Sequence, residues 1–396
     1  MPPRSSLRPV LGSGLMFATN GAVFAALLPW YPQLAERLGL GGLQFGLVVA
    51  CFAVGAIVSS ALPAPLIRRF GAVRVAVVGT GVLALAVATA GWSTSAVMLA
   101  ACILALGFSD AIVDVAQNVA GLRVQQRAGR PILGSMHALW SLGAATSGGI
   151  ATAVAAVGGD LRIHLAITGA ACVVLVAVAG WLVGPVPEAP AEPGEALRGI
   201  ARWRAAAIVV LPIVVVAVSG SVVEDVANNW AALSAVRLAG LDASVAGLAF
   251  TVVIASQCFG RFTGDLLIHR FGRGRVARLG GVLVALGGVA IVAASEPILL
   301  LAGLVLAGYG CATLVPSAFS AAGSVPGLSE GAGVTVVSWL MRLGFLGTSP
   351  LIGGLSDAVD LRAGLAVLVV AGVVAAVLAP RLEPGAARAA RAPGAA

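Results

Sequence analysis

Lysine is absent from this 396-residue chain, so apart from three histidines every basic side chain is an arginine. Charge of either sign is scarce: acids and arginines make up 10% of the residues, against roughly 25% in an ordinary soluble domain. So little charge cannot clothe a chain of this length in a surface that faces water all round, which excludes a soluble protein. The five cysteines, Cys51, Cys102, Cys172, Cys258 and Cys311, fall singly in apolar stretches, with no CxxC pair or metal-ligand spacing. Neither a disulfide nor a metal site is therefore expected. Phosphate-cradling loops, a nucleophile elbow and HExxH clusters are missing as well, which leaves ATP-driven transport and hydrolysis without support. The chain is not expected to be an enzyme or to carry a cofactor.

What is present is apolar. Hydrophobic residues make up 59% of the chain and mean hydropathy is +1.03, so lipid is the main solvent. A spanning helix takes about 20 residues, and with a short loop about 33, so the length suits about twelve spans. Apolar segments fall near 10–33, 43–67, 75–91, 96–120, 132–157 and 162–184, then near 205–233, 243–268, 277–294, 298–322, 332–355 and 362–380. Between the two sets, residues 185–204 are rich in Pro, Ala and Glu and read as a cytoplasmic linker. The expectation is an all-α membrane protein: a six-helix half over 1–184, the linker, and a second half over 205–396 with a short tail. Arg4 and Arg8 precede an apolar run, Val10 to Leu28, too long for a signal peptide and without a small-residue cleavage site, so it reads as a retained first helix.

The net charge of +8 would fit nucleic acid or a membrane surface, and the placement of the arginines decides. With a cytoplasmic N-terminus, eighteen lie on that side, four (Arg37, Arg162, Arg237, Arg362) on the other, and Arg261 and Arg342 inside helices. This positive-inside asymmetry places both termini in the cytoplasm, gives a multi-pass protein of a bacterial inner membrane, and needs no nucleic acid.

The halves repeat at an offset of 201 residues. Arg69-Phe70-Gly71 with Arg74-Val75 recurs as Arg270-Phe271-Gly272 with Arg275-Val276, Leu40, Gly46 and Leu47 recur as Leu241, Gly247 and Leu248, and Leu142-Gly143 recurs as Leu343-Gly344. Several matches at one offset argue for duplicated halves and a transporter with its site between them. On these residues the chain resembles the major facilitator superfamily over nearly its whole length. Gly264-Asp265 with Arg270 to Arg273 is similar to that family's loop signature, while the first copy, Arg68 to Arg74, lacks the acid. Asp114 to Asn118 resembles the acid-xxx-Asn element of the fucose permease-like branch. So do Gly129-Arg130-Pro131 through His137 to Gly143, Glu224 through Trp230, and Ser324 to Gly327. The resemblance implies a proton-coupled carrier with Asp114 as its acid and Asn118 as partner.

A charge in mid-bilayer costs roughly 2.5–3.5 kcal/mol, so acids within helices mark a wet cavity or a buried partner. Asp110, Asp114, Gln117 and Asn118 fall at i, i+4, i+7 and i+8, one stripe of a helix. Two carboxylates one turn apart resist simultaneous ionisation, so the pair is suited to binding and releasing a proton; a fixed polar pair tying two helices is the plainer alternative. Glu224, Asp225, Asn228 and Asn229 are expected to line the second half of the cavity, Glu224 as a further proton group, with Trp230 as a stacking face for a sugar or ring. A frayed helix end would place them otherwise. Arg342 needs an internal anion, Glu224 or Asp225 first. His137, Trp140 and Asn20 are candidate cavity residues, and Arg261 with Asp265 and Arg270 a candidate gate. The reading is a monomeric transporter that couples protons to import of a small, sugar-like solute; export of a hydrophobic metabolite or drug by proton antiport would use the same acids, and a non-transporting receptor or scaffold is the rival from another class.

Overall fold

The computed structural model describes residues 4–129, 132–184, 200–323, 325 and 330–383; the side chains of a few helical residues, Asp265 among them, are outside that description. Arg130-Pro131, Ser324, Pro326-Gly327, residues 185–199 of the expected linker and the tail with Arg388 and Arg391 also lie outside it. Among the described residues there is no strand. Twelve helical units follow one another. They are α1 (Arg4–Ala26, prolonged by Leu28–Trp30 and Tyr31–Arg37), α2 (Gly42–Ser59, then Pro63–Phe70), α3 (Ala72–Ala90), α4 (Ala96–Ala128), α5 (Leu133–Ala156) and α6 (Leu161–Val183). The second set is α7 (Ile200–Asp225, a π-turn Val226–Trp230, then Ala231–Ala239), α8 (Gly247–Phe271), α9 (Arg273–Ala293), α10 (Pro297–Cys311, then Leu314–Ala322), α11 (Glu330–Ala358) and α12 (Leu361–Leu365 with Val367–Leu378). Helix α7 already begins within the stretch expected to be linker.

Eleven of these units are long and apolar enough to cross a membrane. Helix α8 is equally long, but Gln257 and Arg261 interrupt its apolar run. Leu11, Val78, Leu85, Val97 and Ile298 stay exposed, as a lipid-facing surface requires. Between such helices lipid supplies no hydrophobic drive, so close approach and dispersion hold them together.

Packing repeats with the sequence. Helix α1 packs on α5 and α6, α2 on α4, and α3 on α4 and α6; six units later, α7 packs on α11 and α12, α8 on α10, and α9 on α10 and α12. The halves meet through α2 against α11 and α5 against α8. The duplicated Arg-Phe-Gly explains itself locally. Gly71 (φ +83) and Gly272 (φ +85) both turn the chain from one helix straight into the next, and each donates its N–H back to Ile67 or Ile268. Only glycine enters that region freely. Arg69 and Arg270 each stack over the neighbouring ring, of Phe70 and Phe271.

At the end of the bundle opposite the termini the halves are locked. Asp357, near the end of α11, accepts from the N–H groups of Gly42 (2.7 Å) and Leu43 (2.8 Å), capping the start of α2 across the interface. Phe45 sets its edge on Trp230 at 5.2 Å. Two further hydrogen bonds join the halves at the level of the cavity described next, from Arg261 to Ser141 and from Arg342 to Ala56.

Candidate functional site

Between the halves lies a cavity of about 420 Å³ to which α1, α2, α4, α5, α7, α8, α10 and α11 all contribute. Its polar wall carries Asp110, Asp114, Glu224, Asn228, Gln257, Arg261 and Arg342, and Phe24, Phe52, Trp140, Phe319 and Phe345 line the rest.

The first cluster is built on α4. Asp110 accepts at 3.2 Å from the amide of Asn20, whose oxygen accepts at 2.6 Å from the Trp140 indole N–H. Asn20 thereby ties Asp110 and Trp140 together through one N–H and its oxygen. One turn further, Asn118 donates at 3.0 Å to Asp114, and its oxygen meets His137 Nε2 at 3.1 Å. Asp114 and His137 are exposed, whereas Asp110 is half-buried. A carboxylate, an amide and an imidazole thus form a chain reaching from the cavity towards the end of the bundle that holds the termini. Gln117 departs from the expected stripe: it is buried, its Oε1 has no partner among the described residues, and it does not line the cavity. At i+7 it falls on the edge of the stripe away from Asn118, where α4 packs instead of facing open space.

The second cluster rests on the π-turn. One extra residue in the turn at Val226–Trp230 brings Asn228 and Asn229 to the cavity beside Glu224 and Asp225. Asn229 donates to Asp225 at 2.9 Å; Asp225 also accepts at 2.5 Å from Ser349, which in turn accepts at 2.9 Å from the Trp230 indole. Asp225 is therefore held in a nearly closed network linking α7 to α11. Trp230 is fully buried against Phe45 and Ser349, so it gives the cavity no stacking face. That corrects the expected role: an indole N–H needs a buried acceptor, and Ser349 holds the ring in the seam. Asn228 is the amide of this cluster left without a protein partner among the described residues.

Arg342 also differs from expectation. Neither Glu224 nor Asp225 is its partner: its guanidinium donates to the Ala56 carbonyl of α2 at 2.8 Å. Glu224 faces α8, whose Gln257 and Arg261 stand one turn apart, and both reach its Oε1 at 3.0 Å. Arg261 is drawn into the cavity by this ion pair and spans the halves by donating to Ser141 Oγ at 2.9 Å, instead of bracing a loop. The Asp265 side chain lies outside the described residues, and Arg270 is exposed over Phe271. Gln257 and Ser349 were not singled out from the sequence. Gln257 had a signal, an amide one turn from an intramembrane arginine; a serine beside Pro350 had none.

The sequence profile described as the Major Facilitator Superfamily matches residues 13–236 and 224–395. Over 391 residues the chain is 27% identical to an uncharacterized transporter, y4wD, of Sinorhizobium fredii, covering 96% of this chain and all of that one. It is 24% identical to the membrane protein MosC of Rhizobium meliloti over 363 residues, 91% of this chain and 86% of that. Two solved structures share the fold: the nucleoside transporter NupG (17% identity, 96% and 98% coverage, TM-score 0.70) and a bacterial homolog of the human lysosomal transporter Spinster, inward-facing and unoccupied (15% identity, 96% and 97% coverage, TM-score 0.74).

Proposed function

The chain belongs to the Major Facilitator Superfamily, a family of membrane transporters of small molecules, and from that premise we propose that it is a proton-coupled carrier moving a small polar, sugar-like solute by alternating access. The observation that carries the reading is the Asp114–Asn118–His137 chain, which starts from an exposed carboxylate in the cavity wall. Asp114 takes up and releases the proton, Asn118 holds its carboxylate in place, and His137, on the far side of Asn118, is a second titratable group on the side of the termini. Asp110, tied to Asn20, sets the field in which Asp114 titrates. Asn228, with its free amide, is the first contact for a solute hydroxyl or carbonyl, and Trp140 replaces Trp230 as the aromatic face. Arg342 keeps donors for the cavity beyond the one given to Ala56, and Glu224–Arg261 serves as an ion pair that holds the halves at cavity level while the protein rocks.

With the positive-inside reading, the locked end is periplasmic and the cavity opens to the cytoplasm. The proton gradient drives the cycle, one charge across 100 mV contributing about 2.3 kcal/mol. The aromatic lining by Phe24, Phe52, Phe319 and Phe345 favours a second reading, antiport export of a hydrophobic solute. Ligands found by thermal shift, followed by counterflow in proteoliposomes with and without a pH gradient, separate the two. Symport predicts uptake down the proton gradient and antiport uptake against it. Binding without any solute movement would sink both.

A further inference from the structure

The central cavity is acidic in balance. Asp110, Asp114, Glu224 and Asp225 line it against two guanidinium groups, those of Arg261 and Arg342. Glu224 is matched by Arg261 at 3.0 Å. Both oxygens of Asp225 accept hydrogen bonds, from Asn229 and Ser349, which suits the ionised form. Matters differ on α4. Among the described residues no basic side chain stands within ion-pair distance of Asp110 or Asp114, and Arg342 gives a donor to Ala56 on α2. With Asp114 carrying the transported proton, and Arg342 counted against one of the other acids, one negative charge stays in excess. Inside the bundle an uncompensated carboxylate is costly. A neutral solute would leave that charge as it is, and an anionic one would add to it.

The excess falls beside an aromatic wall. Asn20 donates to one Asp110 oxygen at 3.2 Å and accepts from the Trp140 indole at 2.6 Å, so carboxylate and ring are held on either side of a single amide. The other Asp110 oxygen has no protein partner among the described residues. Phe24, one turn along α1 from Asn20, lies with its ring centre 5.8 Å from that of Trp140 and 5.6 Å from that of Phe52. These three rings and Asp110 are half-buried, and all line the cavity. A carboxylate next to aromatic faces selects an ammonium group, which gains from the charge and from the rings together. Resting on the reading of this cavity as the solute site, we infer that the solute is an organic amine bound in its protonated form. Its ammonium sits between Asp110 and the rings of Trp140, Phe24 and Phe52, and Asn228 is left to meet its hydroxyl or carbonyl groups.

Thermal shift of the full chain in detergent at neutral pH tests it with two matched sets of probes. Sorbitol, glucamine and gluconate share a polyol backbone and differ at one end; benzyl alcohol, benzylamine and benzoate do the same on an aromatic one. On at least one backbone the amine should raise the melting temperature more than the alcohol does, and the carboxylate should not raise it. Asp110→Asn keeps the shape and the Asn20 contact, and should weaken amine binding about tenfold, the loss of one hydrogen bond between charged groups. Trp140→Leu should weaken it about threefold, the scale of a cation over a ring, and Trp140→Phe should restore most of that. Equal shifts by amine and alcohol on both backbones, a preference for the carboxylate, no shift by either amine, or an Asp110→Asn protein that still prefers the amine would each overturn the inference. A preference for benzylamine without one for glucamine would uphold the ammonium and sink the sugar-like reading, so the two fail separately.

Discussion

The acids of the cavity were legible as single residues because a carboxylate inside an apolar run is costly and stands out. The partner on the same helix, Asn118 for Asp114, was legible too; partners on other helices were not, because hydrogen bonds between helices depend on rotation about each axis, which an apolar helix records weakly. Arg342 shows the limit: a guanidinium at mid-helix required an acceptor, and a backbone carbonyl on α2 supplied it where a carboxylate was expected. Two substitutions test this scale. Asp114→Asn keeps the size and the contact with Asn118 but removes the proton; the protein should fold, exchange solute in counterflow, and lose accumulation driven by a pH gradient. Unchanged accumulation would move the proton site elsewhere. Ser349→Ala leaves the buried Asp225 carboxylate and Trp230 indole each short of a partner, at a cost of about 1–3 kcal/mol. A clearly lower melting temperature in detergent is expected, and an unchanged one would mean that this network does not hold α7 to α11.

Helices were legible from hydropathy and charge to within a few residues, apart from the starts of α1 and α7 and the end of α4, which runs on to Ala128, but their irregularities were not. The sequence gives no warning that α7 passes through a π-turn, since a single extra residue disturbs the periodicity no more than local variation does. In the first half the equivalent stretch, at the offset of 201, is Ala25–Pro29, which runs into the Leu28–Trp30 turn where α1 breaks with a proline in place of a π-turn. Both breaks lie where a helix passes the cavity. The α2–α11 seam depends on glycine in another way: a Cβ on Gly353 would strike the Gly42 carbonyl, and one on Gly46 the Ser349 carbonyl. Gly353→Val should therefore wedge the locked end apart and shift the protein towards the state open there. Faster thiol labelling from that side, at a cysteine placed in the cavity, is the expected readout; unaltered labelling would show that the seam is not part of the gate.

For the whole molecule, the repeat fixes the packing, and the chemistry departs from it. At the offset of 201, Asp110, Asp114 and Asn118 become Cys311, Val315 and Phe319, and Glu224, Gln257 and Arg261 correspond to Val23, Ala56 and Ser60. One half holds the exposed acid with Asn118 and His137, the other the Glu224–Arg261 ion pair and Asn228 with Asn229, so neither half has a complete site. Symmetry was visible because packing residues are duplicated; the site was only partly visible because its residues are the ones that are not. The lock at one end rests on Asp357, and Asp357→Ala should open that end more often without changing the fold, seen as faster labelling there and an unchanged circular dichroism spectrum.

Alternating access itself can be tested without knowing the solute. In a protein with its own five cysteines replaced, Asn228→Cys places one thiol on the cavity wall, and a membrane-impermeant maleimide is applied to sealed vesicles of each orientation. Labelling from both faces, at rates that change in opposite directions when a pH gradient is imposed, is what this account predicts. Labelling from one face alone, whatever the gradient, would contradict it.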